Sequence, residues 1–175
     1  SSGAGYGSSY MAGKGARDVI GGDIDAAVVA WSKGHYSRER LEFVRLDATE
    51  LPFADNSFDV IVTLETIEHL TEYDKFLTEC KRVIKNGGTI ICSTPNRATS
   101  DYTDEHVSLF YIEELRDLLS KYFDNIALYG SYWIDGKEKV NNGLLVMAMR
   151  ILAPIPGKTA IKDFATRFVW RRYRT

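Results

Sequence analysis

Five stretches of the chain, Val19 to Ile24, Leu41 to Leu46, Phe58 to Leu64, Thr89 to Ser93 and Leu144 to Ile151, are short, β-branched and nearly continuous in apolar character. They lack the strict alternation of a half-exposed strand, so they suit strands covered on both faces, as in a parallel sheet. Between them the apolar period lengthens to that of a helix. Asp25 to Tyr36 carries Ala, Val and Trp at helical spacing. Tyr73 to Ile84 sets Phe76, Leu77, Cys80, Val83 and Ile84 on one face, and Ile112 to Phe123 does the same with Leu115, Leu118, Leu119 and Tyr122. The "KNGG" at 85–88 supplies a helix stop and a turn before the strand "TIICSTP". Strand and helix thus alternate, which predicts a doubly wound α/β fold with its ligand site at the carboxyl ends of the strands. Farther on, "NIALYGSYW" and "NGLLVMAMRIL" read as a closing pair of strands around the polar turn "IDGKEKVNN".

At Pro154 the pattern changes, dividing the chain into a domain over 1–153 and a basic amphipathic segment over 154–175. The segment opens with two prolines and then places Ile161, Phe164, Ala165, Phe168 and Val169 along one side of a helix. Lys158, Lys162, Arg167, Arg171, Arg172 and Arg174 stand there against Asp163 alone. The expectation is a surface helix docked on the domain or on a partner chain. Composition adds few constraints: 175 residues, 45% of them hydrophobic, suit one globular domain with a real core. With 22 basic and 24 acidic residues the net charge is -2, so nucleic acid is not an expected partner. Cys80 and Cys92 form no CxxC pair and read as reduced, core-packed thiols. No apolar run reaches the roughly 18 to 20 residues of a membrane helix. A soluble, cytoplasmic protein is expected.

The chemistry concentrates where predicted strands end. "GAGYGS" at 3–8 is a glycine-rich turn of the kind that follows a strand and opens a helix. Some 16 residues on, "VIGGDID" ends a strand on Asp23, where a carboxylate can accept both hydroxyls of a ribose. "LEFVRLDATELPF" ends the next on Asp47, placed to meet the edge of a base. Two acids on successive strand ends beside a glycine turn describe a nucleoside pocket. A second group lies in "LETIEHL", where Glu65, Glu68 and His69 stand at i, i+3 and i+4 and would share one face of a helical turn.

Taken in order, the blocks "SGAGYGS", "VIGGDID", "FVRLDATELPFADNSFDVIVTLETIEHL", "RVIKNGGTIICSTPNR" and "HVSLFYIEELRDLLSKYF" resemble a class I S-adenosylmethionine-dependent methyltransferase of the ubiquinone-pathway type. The resemblance runs from Ser1 to about Gly130 and implies a Rossmann-like sheet with helices on both faces. It implies that Gly3, Ala4 and Gly5 pass the methionine part of S-adenosylmethionine, and that Asp23, with Ile24 after it, holds the ribose. Asp47 and the Ala48 backbone would meet the adenine, and Leu64 and Glu65 would border the methionine moiety. In that family a hydrophobic strand and an acid precede the glycines, whereas here Ser1 falls on the first glycine position. The family's central first strand is therefore absent from the sequence, and an N-terminally truncated sheet is expected. Its open edges predict a homodimer formed by exchange of a strand or segment.

Glu65, Glu68 and His69, with the distant His106 of "DEHVSLF", also form an E-x-x-E-H…H pattern. It resembles the metal site of small-RNA 3'-terminal ribose 2'-O-methyltransferases and, in part, the acidic and histidine cluster of ubiquinone-pathway catechol O-methyltransferases. That resemblance implies a divalent ion, Mn²⁺, Co²⁺, Fe²⁺ or Zn²⁺, on Glu65, Glu68, His69 and His106. Without an ion, His69, Glu68 and His106 are the candidate catalytic groups, His69 first as base. The expected reaction is methyl transfer to a hydroxyl of a small sugar, polyol or phenol. The rivals are a non-catalytic S-adenosylmethionine-binding remnant and a metal-dependent RNA 2'-O-methyltransferase.

Overall fold

A computed structural model describes residues 1–98, 103–135 and 138–150, with side chains as far as Tyr129. The elements run α1 (Tyr6–Gly13), β1 (Val19–Asp23), α2 (Ala26–His35), β2 (Leu41–Arg45), β3 (Phe58–Leu64), a 3-10 turn (Ile67–His69), α3 (Tyr73–Val83), β4 (Ile84–Pro95), α4 (Ile112–Ser120), β5 (Ile126–Asp135) and β6 (Glu138–Arg150). Each apolar run of the sequence falls on a strand, with Ile24 and Leu46 just past the ends of β1 and β2 and Ile151 outside the described residues. Each helical period falls on a helix, although Ile84 begins β4 and Tyr122 and Phe123 follow the end of α4. The basic segment 154–175 lies outside the described residues.

The strands form two sheets where the sequence pattern points to one. β1 pairs in parallel with β2, and the second sheet has the order β3-β4-β6-β5. Within it β3 and β4 are parallel, while β6 runs antiparallel to both β4 and β5. Parallel pairing therefore ends at β4, because the hairpin that joins β5 to β6 brings β6 back in the opposite sense. Among the described residues β1 and β3 each have a strand partner along one edge only. The "KNGG" turn does not precede β4 but interrupts its start: Phe58 pairs with Ile84, and the ladder then jumps to Val60 with Thr89.

Helix boundaries follow local chemistry. Asp25 caps α2, its carboxylate accepting from Ala27 N–H at 2.7 Å. On α3 the predicted stripe of Phe76, Leu77, Cys80 and Val83 is buried, and on α4 Leu115, Leu118 and Leu119 are buried. These faces meet Ile67, Ile84, Ile90, Cys92 and Phe123 in one core beside β4. Each such Leu, Ile or Phe contributes about 1.5–3 kcal/mol of hydrophobic stabilisation. Both cysteines are free and buried in this core, and burial pushes the Cys80 thiol up to about 12. The core thereby fixes the chain that leaves β3, since Ile67 of the 3-10 turn is wholly buried in it.

Candidate active site

The glycine turn is built around one aromatic ring. Phe43 of β2 is buried, and a Cβ on Gly5 would lie 2.7 Å from its Cε1, a Cβ on Gly21 2.6 Å from its Cδ1. Gly5 also has φ 78°, a left-handed conformation that opens α1. Glycine is required at both positions, by close approach in each and by backbone angle at Gly5. Gly3, also left-handed at φ 52°, borders open space. Ala4 lies between them in the turn.

Asp23 ties this turn to the end of β1. Its Oδ2 accepts from Gly3 N–H at 2.9 Å and its Oδ1 from Asp25 N–H at 3.1 Å. Partial burial raises the pKa of this carboxyl, but the bonds from Asp25 and Gly3 outweigh it and hold the group below the usual carboxylate value. Oδ1 retains a lone pair for a further donor. Ile24, the next residue, is 61% exposed and offers an uncovered apolar side chain beside the carboxylate. Asp47, exposed after β2, accepts from both the backbone N–H and the hydroxyl of Thr49 at 2.8 Å, and these bonds lower its pKa. Ala48 packs against the core.

The end of β3 is different. Glu65 has φ 50°, uncommon for a non-glycine residue, and its N–H bonds Ser93 O at 3.0 Å. Ser93 Oγ–H donates to Glu65 Oε1 at 2.6 Å. The chain then turns into the 3-10 turn, which carries Glu68 and His69. Glu68 is fully buried, and neither of its carboxylate oxygens has a hydrogen-bond partner. Thr94 Oγ1 lies near enough to ease its charge but completes no bond and is itself unpartnered. Burial, reinforced by the charge of Glu65, pushes the Glu68 carboxyl up to about 7.

His69 and His106 complete the cluster. One ligand atom from each of Glu68, His69 and His106 falls within 4.8 Å of the others, and the two imidazole rings are 5.2 Å apart. His69 Nδ1 lies 2.8 Å from Glu105 O. A carbonyl only accepts, so Nδ1 carries the hydrogen and Nε2 of the neutral ring keeps its lone pair. His106 Nδ1 is buried without a partner. Ser108 N–H, bonded to Glu68 O at 2.9 Å, ties the His106 segment to the turn.

Of the four residues expected to hold a metal, the structure brings Glu68, His69 and His106 together, while Glu65 is engaged with Ser93. The expectation that Glu65, Glu68 and His69 share one helical turn is not met. Glu65 precedes the turn, and its left-handed φ separates it from Glu68. Sequence reading missed Ser93 and Thr94, which reach the site only through the pairing of β4 with β3. It also missed Arg82, which bonds Leu51 O at 2.9 Å and Phe53 O at 2.7 Å and so fixes the loop after Asp47 to α3. Only the i, i+3 pair of Glu79 with Arg82, 2.7 Å apart, carried a sequence signal for it.

Comparison with known proteins identifies the family and the fold. The family model described as "Methyltransferase domain" matches residues 1–92. A protein of Mycolicibacterium smegmatis named as a probable S-adenosylmethionine-dependent methyltransferase is 42% identical over 114 residues, 65% of this chain and 43% of its own. A ubiquinone biosynthesis O-methyltransferase of Cereibacter sphaeroides is 34% identical over 97 residues, 54% of this chain and 39% of its own. The chain thus spans less than half the length of these relatives. Among solved structures, an S-adenosylmethionine-dependent methyltransferase from Mesorhizobium loti superposes with a TM-score of 0.70 at 13% identity, covering 85% of this chain and 87% of that one. That likeness shows the Rossmann-like class I fold. The ordered motifs, the glycine turn packed on Phe43 and the family match over more than half of the chain agree, and the chain belongs to the methyltransferase domain family.

Proposed function

We propose that the protein transfers the methyl group of S-adenosylmethionine to a hydroxyl of a small sugar, polyol or phenol. The observation that carries the reading is the juxtaposition of Glu68, His69 and His106 just past Glu65 at the end of β3. The residues at the ends of β1 and β2 fit the donor. Asp23 can accept the ribose hydroxyls, Ile24 gives an apolar surface, and the space beside Gly3 admits a ligand close to backbone. The O-methyltransferase relative supports a hydroxyl acceptor.

Methyl transfer is an in-line displacement. The acceptor oxygen forms a bond to the methyl carbon, the carbon–sulfur pair returns to sulfur, and the sulfonium becomes the neutral thioether of S-adenosylhomocysteine. The protein must align the two partners and remove the hydroxyl proton. His69 suits that task, because the bond from Nδ1 to Glu105 O fixes the ring and leaves Nε2 to take the proton. The same donor set, with buried oxygens and a ring nitrogen lacking partners, also fits a divalent ion. Glu68, His69 and His106 would hold Mn²⁺, Co²⁺, Fe²⁺ or Zn²⁺, which would supply Lewis acidity that lowers the pKa of a bound hydroxyl. Base and ligand are alternative roles for one nitrogen.

Two measurements test the reading. Calorimetric titration should give saturable binding of S-adenosylmethionine and S-adenosylhomocysteine, and no binding of either would overturn it. In thermal melts Mn²⁺ or Co²⁺ should raise Tm, and the double variant His69→Ala, His106→Ala should abolish the rise. Wild-type protein with no shift for any divalent ion leaves His69 as the base. Methyl label recovered on carbon or nitrogen, across a panel of hydroxylated acceptors, would refute the hydroxyl assignment.

A further inference from the structure

Between α4 and the segment 106–110 lies an open cavity of about 670 Å³, within the range of small-molecule sites. His106 belongs to two places at once: it joins the cluster with Glu68 and His69, and it lines this cavity. Part of the wall is apolar, with Tyr73 and Phe110 packed edge to face at 5.4 Å between ring centres. The charged part consists of Arg97, Lys121, Glu114 and Asp117. Glu114 is committed, because its carboxylate accepts from Tyr111 N–H at 3.0 Å at the start of α4. Arg97 is held in place: its guanidinium lies 5.2 Å from the centre of the Tyr111 ring, and its backbone N–H donates to Phe110 O at 3.0 Å. Among the described residues neither Arg97 nor Lys121 makes an ion pair. The two cations share the wall with two carboxylates, but among the described residues neither cation is within ion-pair distance of Glu114 or Asp117.

We infer that this cavity receives the body of the methyl acceptor, and that the acceptor carries a carboxylate or phosphate bound by Arg97 with help from Lys121 while its hydroxyl lies at His106. The inference rests on the methyl-transfer reading for the acceptor's role. The planar fork of an arginine already stacked on an aromatic ring matches either oxyanion in two parallel bonds and loses little freedom in doing so. The edge-to-face aromatic pair gives the rest of the molecule an apolar surface. A neutral polyol would leave Arg97 and Lys121 unused.

The test is binding by titration calorimetry without methyl donor, using matched probes: 3,4-dihydroxybenzoate against 3,4-dihydroxybenzamide, and glucose 6-phosphate against glucose. At least one anionic probe should bind tenfold or more tightly than its neutral match, and which pair shows the gap tells carboxylate from phosphate. Arg97→Met should reduce that affinity to the neutral level, and Lys121→Met should reduce it less. Neither change should shift Tm, since both side chains are exposed. Equal affinities within each pair, no measurable binding of any probe, or an Arg97→Met variant that binds like wild type would each overturn the inference. Titration of S-adenosylmethionine into the same samples separates the two readings. Charge-dependent probe binding without donor binding leaves the anion site standing and removes methyl transfer, and donor binding with charge-blind probes does the reverse.

Discussion

At the ends of β1 and β2 the acids are already satisfied, and past the end of β3 one of them, Glu68, is not. Asp23 and Asp47 accept hydrogen bonds from nearby backbone N–H groups and sit below the usual carboxylate pKa. Glu68 is buried with two bare oxygens and sits well above it, next to a His106 nitrogen equally without a partner. The first arrangement is stable as it stands and suits a surface on which a ligand is positioned. The second leaves buried polar atoms short of bonds, at a cost of about 1–3 kcal/mol each, and suits a place where a proton or an ion is taken up. On the proposed reading, one domain separates holding the donor from acting on the acceptor.

The comparison breaks most visibly at His69. Replacing it by Ala removes either the base or a ligand, so turnover should fall by about 10²–10⁴-fold. Donor affinity should be unchanged, because none of the bonds that hold Gly3, Asp23 or Asp47 involves His69. A variant that loses donor binding along with turnover would show that the two sides are not separate.

Next in size is Gly21→Val. The new Cβ would sit 2.6 Å from Phe43 Cδ1 and the ring is buried, so it has little room to yield. Overpacking of this kind costs about 2–3 kcal/mol. Urea denaturation should show that loss, together with weakened donor binding, since the same ring supports Gly5.

Glu68→Gln sharpens the comparison through pH, with the protein kept in chelator. The folded pKa of Glu68 is about 7 against an ordinary 4.5. Between those values the unfolded chain loses the proton while the folded chain keeps it, so wild-type stability should fall as pH rises from about 4.5 to 7. Above 7 both forms are ionised and the full loss, about 3 kcal/mol, has been taken. The glutamine variant should lack this slope, and parallel stability curves for the two proteins would refute the buried, unpaired state of Glu68. The smallest effect belongs to Asp23→Ala, which should weaken donor binding about tenfold and leave turnover at saturating donor within a few-fold of wild type. Unchanged affinity would remove Asp23 from the donor site.

Reading the sequence was most successful where one local pattern carried the information. The stripes on α3 and α4 became buried faces, and β3 ran over the residues its apolar run marked. Asp23 and Asp47 were legible because each sits where a strand ends, and strand ends can be read from hydropathy, while the glycine turn was legible from its residue types alone. The spacing of Glu65, Glu68 and His69 was legible too, but its geometry was not. The i, i+3, i+4 spacing suits a helical turn, whereas the left-handed Glu65 and the 3-10 turn after it make a different arrangement.

What the sequence determined by itself was the order of strands and helices, the helix faces that turn inward and the residue types at strand ends, because these depend on periodicity and local bonding. Tertiary structure alone decided which distant groups meet. His106 reaches Glu68 across 38 residues, and Ser93 reaches Glu65 only through the β3–β4 ladder. Satisfaction was decided there as well. The same residue type, an acid after a strand, is bonded at position 23 and bare at position 68, because at 23 backbone N–H groups converge on the carboxylate and at 68 the core excludes water without supplying a donor.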